Sequence, residues 1–394
     1  MRYKTIQLSK AADIIVGFPF ASEKFNLNAQ GIRLVRGKNI TTGNLRWGDD
    51  TRWWDDFSID LSKYMLKADD IVIGMDGSLV GKNYAKISEN DLPLLLVQRV
   101  ACIRAKEGYD QRFLWGCIAS GTFERYIDSI KTGTSIPHIS GGQIGNYPIP
   151  DFDLQTQKKI AAILSALDEK IAINRAINDN LYAQAKAIFA DRFLSLNSVP
   201  DGWRKGNLLD IAYYLNGLAM QNFRPRDDEV GLPVLKIKEL RQGRCDTNSE
   251  ICVSNIKSEY IVHDGDVIFS WSGSLIVDIW CGGTCGLNQH LFKVTSKLYD
   301  NWFYYLWTEH HLDRFIAIAA DKATTMGHIK REELSKVEVL IPCEADYIKI
   351  NSIMKPIFDM IISNRIEAHK LEDLRDELLP KLMLGEIDIS SVQL

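Results

Sequence analysis

Nowhere in the chain do eighteen apolar residues run together, so no stretch has the length of a membrane-spanning helix. The N-terminal region has no apolar run long enough for a secretory signal, which argues against export. Cysteine is sparse: the seven present are odd in number and lack the spacing of a disulfide framework, as expected in a reducing cytoplasm. Cys245, Cys252, Cys281, Cys285 and His290 raise the question of zinc. Their spacing is not that of a zinc ribbon and the first half of the chain has no counterpart, so buried thiols and no metal are expected. Positive charge in excess is missing too, the formal net charge being −4. Residues 1–150 carry 19 basic and 16 acidic side chains, and residues 196–343 carry 16 and 19, so any nucleic-acid surface must be a concentrated patch in a neutral domain.

The grammar of catalysis is absent as well. There is no Walker loop, no Gly-x-Gly-x-x-Gly, no Gly-x-Ser-x-Gly and no His-Glu-x-x-His. The paired prolines of an amino-methyltransferase loop do not occur, since Asn146-Tyr147-Pro148 has one. His138 and His328 recur in both halves without a nucleophile beside them, which suits a histidine that closes a loop by hydrogen bonding.

What the chain does have is a long uninterrupted helix. Between Leu154 and Phe193 there is neither Gly nor Pro. Ile160, Leu164, Leu167, Ile171, Asn174, Asn178, Leu181, Ala185 and Ile188 alternate at spacings of four and three, the seam of a coiled coil. At about 1.5 Å per residue such a rod extends roughly 60 Å and needs a partner for its seam. The chain supplies one. Ile350, Met354, Ile357, Ile361, Asn364, Ala368 and Leu371 repeat the pattern, and Asn364-Arg365 falls on Asn174-Arg175. Pro356, where the first helix has Ala166, predicts a bend or a helix beginning near Lys355.

The repeat reaches upstream. Leu34-Val35-Arg36-x-Lys38 matches Val234-Leu235-Lys236-x-Lys238, and Asp70 to Ile73 with Gly77-Ser78-Leu79 matches Asp266 to Phe269 with Gly273-Ser274-Leu275. Gln98 matches Gln289, Phe123 to Ile127 matches Leu312 to Ile316, and His138-Ile139 matches His328-Ile329. The chain is therefore two copies of one domain-plus-helix unit. The divisions expected are 1–150, a first domain; 151–195, a first spacer helix; 196–342, a second domain; and 343–394, a second spacer helix and tail.

Within each domain, β-branched runs at Ile14–Val16, Leu34–Val35, Ile71–Ile73 and Leu94–Ile103 predict strands, and Phe113–Ile130 has helical spacing. Several residues are candidates for DNA contact. Arg36 and Lys38, like Lys236 and Lys238, stand two apart on an expected strand, so both cations would share one face and meet an anion or solvent. Arg46 and Arg52 lie among Trp47, Trp53 and Trp54, which either stack on bases or form a core edge. Lys131, Thr132, Thr134 and Ser135 make a polar loop suited to phosphate or to solvent, and Lys322, Thr324 and Thr325 make its counterpart.

Several phrases of the sequence resemble one family. Gly133-Thr134-Ser135, Pro148-Ile149-Pro150-Asp151-Phe152, Gln157-Lys158-Lys159-Ile160-Ala161-Ala162-Ile163-Leu164 and Pro200-Asp201-Gly202-Trp203 occur in the order found in the specificity subunit of type I restriction-modification systems. Leu378-Leu379-Pro380-Lys381-Leu382-Met383 and Gly385-Glu386-Ile387 are similar to its C-terminal phrase. Leu384 and Tyr347-Ile348-Lys349-Ile350 depart from the usual pattern, the latter on the partner surface of the second helix. The resemblance implies an α+β, mixed α/β fold: two target recognition domains joined by two long antiparallel helices in a coiled coil, with an internal pseudo-twofold repeat. It implies a non-catalytic subunit that reads double-stranded DNA, each domain taking one half of a bipartite asymmetric target. Two modification (methyltransferase) subunits would dock on the helices and restriction subunits would join them. S-adenosylmethionine and Mg-ATP would be used by those partners and no cofactor by this chain, in the cytoplasm and away from membranes. An enzyme with an unrecognised motif and a two-lobed scaffold without sequence specificity remain the alternatives.

Overall fold

The computed structural model describes residues 4–132, 137–226, 229–321, 329–389 and 392. Contacts divide the chain into two units, Met1–Glu169 with Glu372–Leu394, and Lys170–Leu371. The division falls inside both long helices, Leu154–Phe189 and Glu344–Met383, instead of leaving them as segments of their own.

In the first unit a five-stranded sheet has the order Ala12–Val16, Val100–Ala105, Ile71–Gly74, Tyr84–Lys86, Thr42–Gly43. Alternation along these strands sends side chains to two cores. Ile71, Ile73, Ala101 and Ile103 pack with Phe113, Leu114, Ile118, Phe123 and Ile127 of two short helices, and with Ile160, Leu164, Leu379 and Leu382 of the long ones. Val72, Ala85, Val100 and Cys102 face the other way, toward Val35, Leu94 and Leu96. Each of the Val, Leu, Ile and Phe side chains among them, fully buried, contributes about 1.5–3 kcal/mol.

A second sheet orders Trp53–Trp54, Ile32–Val35 and Leu94–Leu96, the last two parallel. The run Leu94–Ile103 is thus two strands in different sheets, not one. The chain turns at Gln98-Arg99, with Arg99 in the left-handed region at φ 65°. Phe113–Ile130 is likewise two helices, Gln111–Ala119 and Gly121–Ile130. Ser120 is extended between them, and its hydroxyl donates to the Cys117 carbonyl at 2.7 Å.

The second unit repeats the plan. One sheet orders Tyr213–Asn216, Leu291–Thr295, Val267–Ser270 and Val277–Ile279; the other orders Ile251–Cys252, Leu232–Leu235, Cys285–Leu287 and Ile261–Val262. Strands Leu232–Leu235 and Cys285–Leu287 are again the parallel pair. Even a required glycine recurs. A Cβ on Gly17 would lie 2.2 Å from the Val97 carbonyl oxygen, and one on Gly217 would lie 2.2 Å from that of Asn288.

The seam is where the heptad pattern places it. Ile160, Leu164, Ile171, Asn174, Asn178 and Ala185 are buried on the first helix, with Leu167, Leu181 and Ile188 half-buried. On the second, Ile350, Met354, Ile361, Asn364 and Ala368 are buried, and Ile357 and Leu371 half-buried. Pairing is antiparallel. In the second unit Asn174 donates to Glu367 at 2.7 Å and Asn364 to Asn178 at 3.0 Å. In the first, Arg375 donates to Asp168 at 2.9 Å.

The first helix ends in a π-helical turn, Ala190–Leu194. The second does not begin near Lys355: it runs from Glu344 straight through Pro356. Proline lacks the N–H that would bond the Ser352 carbonyl, but both residues are exposed, so that carbonyl can face solvent. The exposed position is what makes the proline tolerable.

Candidate nucleic-acid interface

The cations expected on a strand are not on one. In the first unit the strand stops at Val35, and Gly37–Asn39 forms a 3-10 turn. Buried Asn39 holds that turn, accepting from the Arg36 N–H at 3.1 Å and donating to the Arg46 carbonyl at 3.2 Å. Arg36 and Lys38 therefore do not share a strand face. The Arg36 guanidinium turns inward, donates to the Asp50 carbonyl and lies 5.8 Å from the centre of the Phe25 ring. Burial lowers its pKa, and the Arg52 charge lowers it further.

Lys38 Nζ sits 2.5 Å from the Asp50 carboxylate. That hydrogen bond holds the Asp50 carboxyl below its ordinary value, with the charges of Lys38, Arg36 and Arg46 adding to it. The Arg52 guanidinium donates to the Thr51 carbonyl at 2.8 Å and is half-exposed. Lys38, Arg36 and Arg46 thus act together on the Asp50 carboxylate, and Arg52 on Arg36. The tryptophans between them are a core edge. Trp54 is buried with Phe20 and Phe25, and Trp47 lies under the Arg33 guanidinium with its indole N–H on Asp91 at 3.1 Å.

Next to this cluster lies the tip of the larger sheet. A Cβ on Gly37 would come within 3.4 Å of Asp76 Oδ1. Asp76 accepts from Arg99 at 2.8 Å, and the Arg99 side chain is 70% exposed. His138 exchanges both backbone hydrogen bonds with Thr132, and its Nε2 lies 3.2 Å from the Thr132 hydroxyl, the loop-closing arrangement expected of it. Lys131 pairs with Asp128 at 2.6 Å. Thr134 and Ser135 lie outside the described residues, as do Lys322, Thr324, Thr325 and His328 of the second unit.

In the second unit the strand ends at Leu235 and Lys236 begins the helix Ile237–Gln242, so Lys236 and Lys238 also leave the expected strand. Each finds its own anion: Lys236 is paired with Glu250, and Lys238 with Asp246 at 3.2 Å. Beside this turn, a Cβ on Gly273 would lie 3.7 Å from Ile237. Trp271 donates from its indole to Asn216 at 2.9 Å, and its backbone bonds His290 and Ile329. Cys281 and Cys285 belong to different core clusters. Among the described residues no three His, Cys, Asp or Glu side chains come together as metal ligands.

The helices also expose several large apolar side chains. Ile173 and Ile177 on the first and Ile348, Ile353 and Met360 on the second are exposed despite their size. They lie off the buried seam. No helix among the described residues is long and apolar enough to cross a membrane.

A duplicated mixed α/β domain with two principal sheets, a polar tip in each copy and an antiparallel helix pair define a duplicated two-domain protein. The family model for the type I restriction modification DNA specificity domain matches residues 18–183 and 200–373, and the chain belongs to that family. It is 25% identical to the type I restriction enzyme MjaIX specificity subunit of Methanocaldococcus jannaschii, over 78% of this chain and 76% of that one. It is 24% identical to the EcoBI specificity subunit of Escherichia coli over 97% and 85% of the two chains. In fold it resembles the crystal structure of a type I restriction-modification S subunit from M. genitalium, with TM-score 0.60 at 14% identity, covering 97% of this chain and 96% of that one.

Proposed function

We propose that each unit reads one half of a bipartite, asymmetric double-stranded DNA target and that the helix pair sets the distance between the halves. The observation that carries this reading is the duplication itself, one scaffold repeated with different polar tips. Different tips on one scaffold suit two unlike half-sites.

Phosphate contacts set register and base contacts specify. In the first domain Arg46, Arg52 and Lys38 are suited to phosphate, being cations that outnumber their carboxylate. Lys131, Thr132, Thr134 and Ser135 border the same tip in sequence, and Lys236, Lys238, Lys322, Thr324 and Thr325 are the second domain's counterparts. The exposed apolar residues Ile173, Ile177, Ile348, Ile353 and Met360 suit the docking of two modification (methyltransferase) subunits, and restriction subunits join that complex. S-adenosylmethionine and Mg-ATP are used by those partners, in the cytoplasm, and this chain supplies specificity without catalysis.

The deciding experiment is to map methylated adenines in cells expressing the chain together with a modification subunit, and in cells lacking the chain. A bipartite motif that vanishes with the chain supports the reading. Methyl transfer to DNA by the purified chain alone would sink it.

A further inference from the structure

The two domains share a set of main-chain hydrogen bonds at the tip but not all the side chains it presents. Met75 N–H donates to the Arg99 carbonyl at 2.9 Å, and Trp271 N–H donates to that of His290 at 3.4 Å. Ile139 N–H donates to the Met75 carbonyl at 2.9 Å, and Ile329 N–H to that of Trp271 at 3.1 Å. Gly17 N–H reaches the Val100 carbonyl at 2.9 Å, and Gly217 N–H reaches that of Leu291 at 3.0 Å. Against this constancy, Arg99 stands where His290 stands, and Asp76 where Ser272 does. Between the two domains, Gln98 and Gln289 agree.

A structural turn would not need these differences. Val97 to Val100 and Asn288 to Leu291 close with the same backbone bond, Val100 N–H to the Val97 carbonyl at 3.2 Å and Leu291 N–H to the Asn288 carbonyl at 3.0 Å. Yet Arg99 is left-handed, whereas none of Asn288, Gln289 and His290 is. The turn therefore does not require the strain at Arg99. Left-handed backbone at a non-glycine residue costs about 1–2 kcal/mol, and such strain gathers at functional sites. Here it delivers a guanidinium that is mostly in solvent and steadied by Asp76. In the second domain the Gln289 amide lies 3.4 Å from His290 Nε2, so two polar side chains are held as a pair. His290 Nδ1 is buried without a hydrogen-bond partner among the described residues.

Arginine reads guanine and glutamine reads adenine through paired hydrogen bonds at the major-groove edge. We propose that Arg99, oriented by Asp76, is the specificity-determining residue of the first domain, and that Gln289 with His290 fills that role in the second. The inference rests on the DNA-recognition reading above. It assigns base readout to this turn and leaves the cations of the Arg36–Arg52 segment to the phosphates.

The test expresses Arg99→Ala, Arg99→Lys, Gln289→Ala and His290→Ala chains with the modification subunit in a host free of other adenine methylation, and maps the methylome. Loss of Arg99 should relax one base position of one half-site, lowering preference there roughly 5- to 150-fold while the other half-site stays intact. Gln289→Ala and His290→Ala should relax the other half-site instead. Arg99→Lys keeps the charge but not the rigid guanidinium fork, so it should relax the same position, less than Arg99→Ala does. An unchanged motif in Arg99→Lys, or in all the alanine variants, overturns the assignment. So does loss of methylation at both half-sites in an Arg99→Ala chain that still assembles. A wild-type chain that directs no methylation would instead defeat the DNA-recognition reading itself.

Discussion

The Asn364 side-chain amide donates to the Asn178 carbonyl oxygen at 3.0 Å, and Asn178 donates in turn to the Ile361 carbonyl at 3.1 Å. Both side chains are buried in the helix seam. Replacing one partner leaves the other unsatisfied. Asn364→Leu should therefore lower the stability of the second unit by about 1–3 kcal/mol in chemical denaturation. The double variant Asn178→Leu/Asn364→Leu should recover much of that loss while the helices pair less selectively. Equal destabilisation in single and double variants would show that the two amides act independently.

Spacing can be altered without disturbing the seam. Seven residues inserted at matching points of both helices keep the heptad phase and lengthen the pair by about 10.5 Å. That is close to three base-pair steps of roughly 3.4 Å. Methylome mapping should recover the same half-sites with a gap wider by about three base pairs. An unchanged gap would mean that the helices do not set it.

Two cations of the first tip, Arg36 and Arg52, should behave differently. Arg36 is tied to the Asp50 carbonyl and packed near Phe25. Arg36→Ala should lower the stability of the first unit, with little change in base preference. Arg52→Ala should leave stability intact and reduce the salt dependence of binding by about one counterion. Duplex titrations at several salt concentrations, beside thermal melts, separate the two effects.

Acid should loosen the second unit in two stages. His311 stacks on Trp307 and donates from Nε2 to the Glu338 carbonyl at 2.9 Å. Burial lowers its pKa from 6.5 to about 4. Between those values the unfolded chain binds the extra proton, so stability falls as pH drops through that window. Asp346 is held at about 2, chiefly by the Trp203 indole N–H and then by Lys349, so its contribution is lost at lower pH, below its ordinary 3.8. His311→Gln should flatten the upper stage of a stability-versus-pH curve and spare the lower. An unaltered upper stage would assign that loss to other groups.

Arg99 joins strain to exposure, which allows a sharper trade. Glycine accepts the left-handed backbone without cost, so Arg99→Gly should raise the stability of the first unit by about 1 kcal/mol. The same substitution should weaken discrimination at one base. Stabilisation with the motif unchanged would mark the strain as incidental.

The helices were legible in the sequence because a heptad seam is a long periodic signal: Ile160, Leu164, Ile171 and Asn174 are buried where the spacing put them. The duplication was legible because many weak matches kept one order. Local geometry was less so. Arg36 and Lys38 have strand-like spacing, but Asn39, a side chain whose bonds lie in two directions, breaks the strand at Val35. Leu94–Ile103 looks like one apolar run because the turn inside it is made by Arg99, a residue that rarely adopts positive φ. Pro356 misled because propensity does not say which face of a helix meets solvent. Arg99, proposed above to read a base, is not among the candidates the sequence singles out. The sole hint was its place beside Gln98, the residue that repeats in the second half.

Several of the hydrogen bonds that shape each tip run between main-chain groups. The N–H and carbonyl of a main-chain bond are supplied by every amino acid but proline, which lacks the N–H, so those bonds can form under different side chains. Variation at such a position leaves folding largely untouched and changes only what is displayed. If the tip reads bases as proposed above, single substitutions there would shift the target without first undoing the fold.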